Sequence, residues 1–196
     1  LTKLSDDDDD IRIQLGTFKN GVLTIDEGHT TLGEDALEGY KKIRKVVFPS
    51  TLREIDGCFF SEHGHEDYLE EVDFSKVKLL KEIPDNFIGE NCKIETLVIP
   101  VGVKIVGDEF ASSKSIREVY VPYTVEEIGT LNDDEYAPDV YIYTNKLTDI
   151  ESLCAYIRTL YVPEELYVYY AELLKDVDDT EVRLRKMPAD KLDFYG

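Results

Sequence analysis

The sequence predicts a strand-dominated repeat fold, in which units of about 22 residues lie side by side and share one parallel sheet. Three observations carry this. A short apolar–any–apolar phrase, often followed by Pro, recurs eight times along 196 residues. Behind most copies comes a second apolar pair spaced by three. A bulky residue then closes the unit. One such unit has too little apolar area for a core of its own, whereas stacked units bury these positions as continuous ladders.

The strands follow in chain order. Leu23-Thr24-Ile25 is the first, then Val46-Val47-Phe48-Pro49, Val72-Asp73-Phe74 and Leu97-Val98-Ile99-Pro100. Val119-Tyr120-Val121-Pro122, Val140-Tyr141-Ile142 and Leu160-Tyr161-Val162-Pro163 continue the series, and Val182-Arg183-Leu184 ends it. Alternation directs the outer two residues of each phrase inward and the middle one outward. The Pro stops the strand because it cannot extend a hydrogen-bond ladder. Eight strands at about 4.8 Å would give a sheet roughly 35 Å long. The second apolar pairs are Leu52/Ile55, Leu80/Ile83, Val103/Val106, Val125/Ile128 and Leu147/Ile150, with His29/Leu32 in the first copy. His29 there takes a place that other copies give to an apolar side chain. Gly33, Gly107 and Gly129 come next, where a tight turn with positive φ is expected. Leu37, Phe60, Ile88 and Phe110 close their units. After Pro163, the spacing of Leu166, Tyr169, Tyr170, Leu173, Leu174 and Val177 predicts a helix over 164–176, with Glu164 and Glu165 at its positive end. Helix and final strand would close the stack. The expected layout is a flexible acidic segment at 1–16, one repeat domain with its cap at 17–186, and a tail at 187–196.

The segments Val46–Phe60 and Val119–Gly129 resemble the BspA-type leucine-rich repeat, and Leu32-Gly33-Glu34-Asp35-Ala36-Leu37 resembles that family's Ile-Gly-x-x-Ala-Phe signature. Leu160-Tyr161-Val162-Pro163, the helix and Val182-Arg183-Leu184 are similar to the C-terminal unit of such proteins. The resemblance spans about 21–186. Copies depart from it at an insertion around Ser61–Asp67, in a lengthened third unit, and at Leu131–Tyr136, where the closing aromatic is missing. It implies a leucine-rich repeat solenoid (α/β class, strand-dominated), curved and right-handed, with one parallel sheet and a C-terminal capping helix and strand. It further implies a binding role without catalytic residues, and a bacterial protein that is secreted or displayed at the cell surface, where some relatives act as adhesins.

Acidic residues outnumber basic ones 42 to 22, a net charge of −20. Nucleic acid and anionic membrane surfaces are therefore poor partners, since no positive field draws phosphates in. No apolar run approaches the roughly 18 residues of a membrane span. Nor does the chain begin with a charged-then-apolar secretory leader.

The inventory for catalysis is thin. Only His29, His63 and His65 are present, and no Gly-rich phosphate loop or Gly-x-Ser-x-Gly turn occurs. No cofactor is implied. Glu62-His63-Gly64-His65-Glu66-Asp67 is the one segment with zinc-ligand chemistry, His63 and His65 flanked by carboxylates; as an insertion between repeats it reads instead as an exposed polar loop. The Asp6–Asp10 run lacks the interleaved turn residues of a calcium loop and reads as solvated. Cys58, Cys92 and Cys154 are an odd number at different repeat offsets, which predicts buried thiols rather than a disulfide framework.

The outward column is Thr24, Val47, Asp73, Val98, Tyr120, Tyr141, Tyr161 and Arg183. Tyr120, Tyr141 and Tyr161 are expected as neighbours about 5 Å apart on an open sheet face, with Tyr123 and Tyr143 just beyond the strand ends. Tyrosine offers rigid area with a polar tip and is enriched at interfaces; such a ladder also stabilises a sheet by itself. The expected function is a non-enzymatic binding module that presents this face to a protein or glycan, with a host-derived ligand among the candidates. The competing expectation is a structural spacer in a surface protein.

Overall fold

The computed structural model describes residues 11–13, 15–57, 59–60, 67–131, 137–177 and 182–195. The short phrases form the strands, which pair in parallel with their equivalents in neighbouring repeats in two runs. Val22–Ile25, Lys45–Val47 and Glu71–Asp73 form one run, with Leu23, Val46 and Val72 in register. Thr96–Val98, Glu118–Val121, Asp139–Ile142, Thr159–Val162 and Arg183–Lys186 form a second, with Leu97, Val119, Val140, Leu160 and Leu184 in register.

The expected single sheet is therefore two five-stranded sheets. The ladder stops between Glu71–Asp73 and Thr96–Val98. Elsewhere the residue just ahead of a strand donates to the residue just ahead of the previous strand, as Glu70 N does to Arg44 O and Arg117 N to Glu95 O, both at 2.8 Å. At the break, Lys93 N donates to Leu69 O instead, at 2.7 Å. The donor there lies two residues earlier relative to its strand and the acceptor only one, so the two strands fall out of step.

Two further corrections lie at the ends. Residues expected in a flexible N-terminal segment include the strand Ile11–Ile13, antiparallel to Gly16–Lys19, which in turn pairs antiparallel with Val22–Ile25. This hairpin covers an edge that would otherwise offer unpaired backbone groups; Asp6–Asp10 lie outside the described residues. The last strand is also shifted by two. Leu184, not Val182, stands beside Leu160, so Arg185 rather than Arg183 follows Tyr161 in the outward column.

The second apolar pairs line the opposite side. Thr31–Leu32 pairs with Glu54–Ile55, and Glu82–Ile83, Ile105–Val106 and Glu127–Ile128 form a three-stranded ladder. Leu52, Leu80, Val103, Val125 and Leu147 are buried between the two sides, as are the closing residues Leu37, Phe60, Ile88 and Phe110. Phe48 stacks on Phe74 with ring centres 4.6 Å apart, and Phe60 meets Phe87 edge-on at 5.3 Å. His29 is half-buried, its carbonyl accepting from Thr51 Oγ1 at 2.9 Å. Cys92 and Cys154 are buried; Cys58 lies outside the described residues.

The turn glycines have a different cause from the one expected. Gly107 and Gly129 do not adopt positive φ. A Cβ at Gly107 would stand 2.2 Å from Asp85 Oδ1 and 2.6 Å from Asp85 N, and one at Gly129 2.4 Å from Asp108 Oδ1. The preceding repeat's aspartate occupies that space because it accepts backbone hydrogen bonds: Asp85 Oδ1 from Asp108 N at 2.7 Å, Asp108 Oδ1 from Thr130 N at 2.9 Å. Close approach between coils, not backbone conformation, requires glycine here.

The predicted helix forms as one continuous turn system: a 3-10 turn at Glu164–Leu166, an α-helix at Tyr167–Leu173 and a 3-10 turn at Leu174–Asp176. Tyr170 is fully buried and donates to Thr144 O at 2.8 Å, while Tyr169 donates to Leu147 O at 2.6 Å. These bonds give carbonyls of the preceding repeat partners from the helix. A further short helix, Glu151–Cys154, was not evident in the apolar spacing.

Candidate functional site: the tyrosine face and its cover

Parallel register alone builds the tyrosine column. Tyr120 pairs with Tyr141, and Tyr141 with Tyr161, so three outward side chains fall in line. Their rings stack nearly parallel, with centres 4.7 Å apart at both steps. The spacing is that of the strands themselves.

The column does not point into water throughout, as its sequence position suggested. Tyr120 is 1% exposed and Tyr141 5%, while Tyr161 and Tyr143 are half-buried and Tyr123 is 50% exposed. The cover is the chain's own segment 187–195, which the sequence reading set apart as a tail. Met187 N donates to Val162 O at 2.7 Å, extending the last strand's edge by one bond. Pro188 then turns the chain into a 3-10 turn at Ala189–Lys191. From there Phe194 stacks on Tyr120, centres 4.1 Å apart and planes within 15°. Tyr195 meets Tyr143 edge-on at 5.1 Å, and its hydroxyl lies 2.8 Å from both the Ile99 and Tyr120 carbonyls.

Charge is arranged around the rings. Glu118, two residues ahead of Tyr120 on the same strand, accepts from Tyr120 Oη at 2.8 Å and from Tyr141 Oη at 3.3 Å. Lys191 Nζ enters from the cover, donating to the Tyr120 hydroxyl and lying 3.4 Å from Glu118 Oε2. It also sits 5.1 and 5.4 Å from the ring centres of Tyr120 and Tyr141, within cation–π range. Tyr143 Oη donates to Lys191 O at 2.5 Å. Burial pushes the ionisation of Tyr120 and Tyr141 well above the usual tyrosine range, with the Glu118 carboxylate adding to it, and pushes Tyr143 up to about 12. These hydroxyls are held neutral, as donors. At the other edge of the face, Arg158 grips Asp139 through Nε at 3.0 Å and Nη2 at 2.8 Å.

Of the five tyrosines singled out from the sequence, the structure brings Tyr120, Tyr141, Tyr161 and Tyr143 into one packed cluster; Tyr123 stays exposed. Glu118, Lys191, Phe194 and Tyr195 were missed. The available signal was an adjacent aromatic pair in an otherwise polar terminal stretch, which normally marks burial. His63 and His65 lie outside the described residues, and among the described residues no cluster of His, Cys, Asp and Glu could hold a metal.

The family model for the BspA type leucine rich repeat region matches residues 16–132, in six copies. The chain belongs to this family. No curated protein and no solved structure matches it. BspA-type repeats commonly mediate protein–protein interaction, are typically binding or structural rather than enzymatic, and typically occur in surface or secreted proteins. Among the described residues no helix is long and apolar enough to cross a membrane. The matched stretch contains Tyr120 and Tyr123, whereas Tyr141, Tyr161 and the covering segment lie beyond it. The cover is thus a feature of this chain in addition to its BspA-type repeats.

Proposed function

We propose that the chain is a non-enzymatic recognition module, a right-handed curved solenoid displayed on or released from a bacterial cell, which binds a protein partner at the tyrosine face. The observation that carries this is the set of large apolar and aromatic side chains that stay accessible on the tyrosine face and its cover. Tyr123 is 50% exposed, Leu192 44% and Phe194 42%, and Tyr161 and Tyr143 are half-buried. Large rigid side chains with polar tips, set on a sheet, suit an interface core. The net charge of −20 favours a partner with a basic surface and disfavours nucleic acid.

The stacked ring faces also support a second reading, a glycan ligand, because a sugar's apolar face can lie on tyrosine. Both are tested with one pair of proteins: the intact chain and its Tyr123→Ala/Tyr161→Ala variant. Each is offered to extracellular host proteins and to a glycan array. A ligand retained by the intact chain and lost by the folded variant supports the site. Ligands retained equally by both reject it. No ligand in either format favours the structural-spacer role.

A further inference from the structure

The covering segment is bound the way a short peptide is bound. Beyond Met187 it adds no strand to the sheet. Its remaining backbone hydrogen bonds are mainly internal, from Lys191 N to Pro188 O, Leu192 N to Ala189 O and Phe194 N to Lys191 O. It holds the face by three anchors: the Lys191 ammonium between Glu118 and two tyrosine rings, Phe194 flat on Tyr120, and the Tyr195 hydroxyl on the Ile99 and Tyr120 carbonyls. Residues 188–190 and 192–194 remain largely exposed although Tyr120 and Tyr141 beneath them are buried. Lifted away, the segment would uncover a contiguous row of aromatic rings beside a carboxylate, the kind of patch that marks an interaction surface. The face therefore has defined chemistry: one acidic socket for a cation and, on its far side, an aromatic shelf ending in two backbone acceptors.

We propose that the tyrosine face is a peptide-docking groove that takes from a partner protein a segment with a cation three residues ahead of an adjacent aromatic pair, Lys-x-x-Phe-Tyr, and that residues 187–195 occupy it in cis until such a segment displaces them. This rests on the protein-recognition reading above and specifies the partner's chemistry. A tethered occupant competes at an effective concentration of about millimolar, so it masks the groove from weak ligands without sealing it. Binding in trans is then reduced by the fraction of molecules with the groove open.

The test uses the full chain and a fluorescein-labelled, C-terminally amidated peptide carrying the sequence of residues 186–195, followed by fluorescence anisotropy. In the Phe194→Ala/Tyr195→Ala chain the groove loses its own anchors, and the peptide binds about tenfold or more tighter than to the intact chain. Replacing Lys191 or Phe194 by Ala within the peptide removes that gain, as does Glu118→Gln in the chain. If the double variant lacks a native circular dichroism spectrum and cooperative melting, Tyr195→Phe takes its place. It keeps the ring, loses only the hydroxyl's bonds, and shifts affinity in the same direction by a smaller factor. A folded variant that binds no peptide at 1 mM, on the order of the weakest useful affinities, overturns the proposal. So does equal affinity for the intact and variant chains, or for peptides with and without the lysine. If the peptide fails while a partner still depends on Tyr123 and Tyr161, the groove alone is wrong. If the peptide binds as described while no partner depends on those residues, the site reading of the previous section is wrong and the groove stands.

Discussion

Replacing Phe194 by alanine should release the cover without unfolding the repeats. Phe194 is 42% exposed, so a little over half of it is buried, with its ring flat on Tyr120 and edge-on to Tyr195. Full burial of a phenylalanine contributes about 1.5–3 kcal/mol, which puts this partial burial near 1–1.5 kcal/mol. The parallel contact with Tyr120 adds roughly 0.5–1 kcal/mol. A loss of about 2 kcal/mol raises the open fraction roughly thirtyfold, at 1.4 kcal/mol per factor of ten. Trypsin reads that fraction at the Lys191–Leu192 bond, because Lys191 is held between Glu118 and Tyr120 when the cover is down. When opening and closing are fast relative to cleavage, the cutting rate follows the open population. Cleavage after Lys191, followed by mass spectrometry and normalised to the matching free peptides, should therefore accelerate about thirtyfold in Phe194→Ala. Val168→Ala, at a side chain 70% exposed on the capping helix, should leave it unchanged. A rate within about threefold of the intact chain would refute the anchoring role of the Phe194–Tyr120 stack.

Other outcomes follow from the same contacts. Gly107→Ala should destabilise the fold by about 1–3 kcal/mol, since its Cβ would meet the Asp85 backbone nitrogen at 2.6 Å, where no rotamer change gives relief. Thermal melting in the Asp85→Ala background should show most of that cost persisting, and its disappearance there would mean the carboxylate alone was in the way. Burial favours neutral Tyr120, Tyr141 and Tyr195, so their contribution to stability is complete below the free-tyrosine value of about 10 and is lost as pH rises through their higher folded values. Absorbance at 295 nm should show a late-ionising class coincident with alkaline loss of structure; a single class near pH 10 in a folded protein would contradict this. Burial also pushes the Cys154 thiol up to about 12, so alkylation at pH 8 should spare it in the native state, and peptide mapping that finds it rapidly modified would place it at the surface instead.

The repeat was legible because its signal is local and recurrent. Leu97, Val119, Val140 and Leu160 each sit in the same short phrase, and alternation alone sends them inward, so their shared column needed no knowledge of the rest of the chain. The capping helix was equally plain, since Leu166, Tyr170 and Leu173 repeat at helical spacing within one short stretch. Register was less secure where repeat length changed. Val182 and Leu184 offer the same alternation two residues apart, and only pairing with Leu160 chooses Leu184. The split between Glu71–Asp73 and Thr96–Val98 does not follow from repeat length, since the longer step from Val46 to Val72 keeps its register.

The candidate site divides along the same line. That Tyr120, Tyr141 and Tyr161 form a ladder was written in the sequence, because a 2-residue side-chain period and a repeat near 22 residues together determine which side chains align. That the ladder is covered was not. Lys191, Phe194 and Tyr195 lie outside any repeat, and their contacts reach 71 to 96 residues back along the chain, to Tyr120 and Ile99. Periodicity records what neighbouring coils do to one another. Where a non-repeating segment comes to rest is settled by the total area it can bury, and only the assembled sheet, with Glu118 and its row of rings already in place, presents that area.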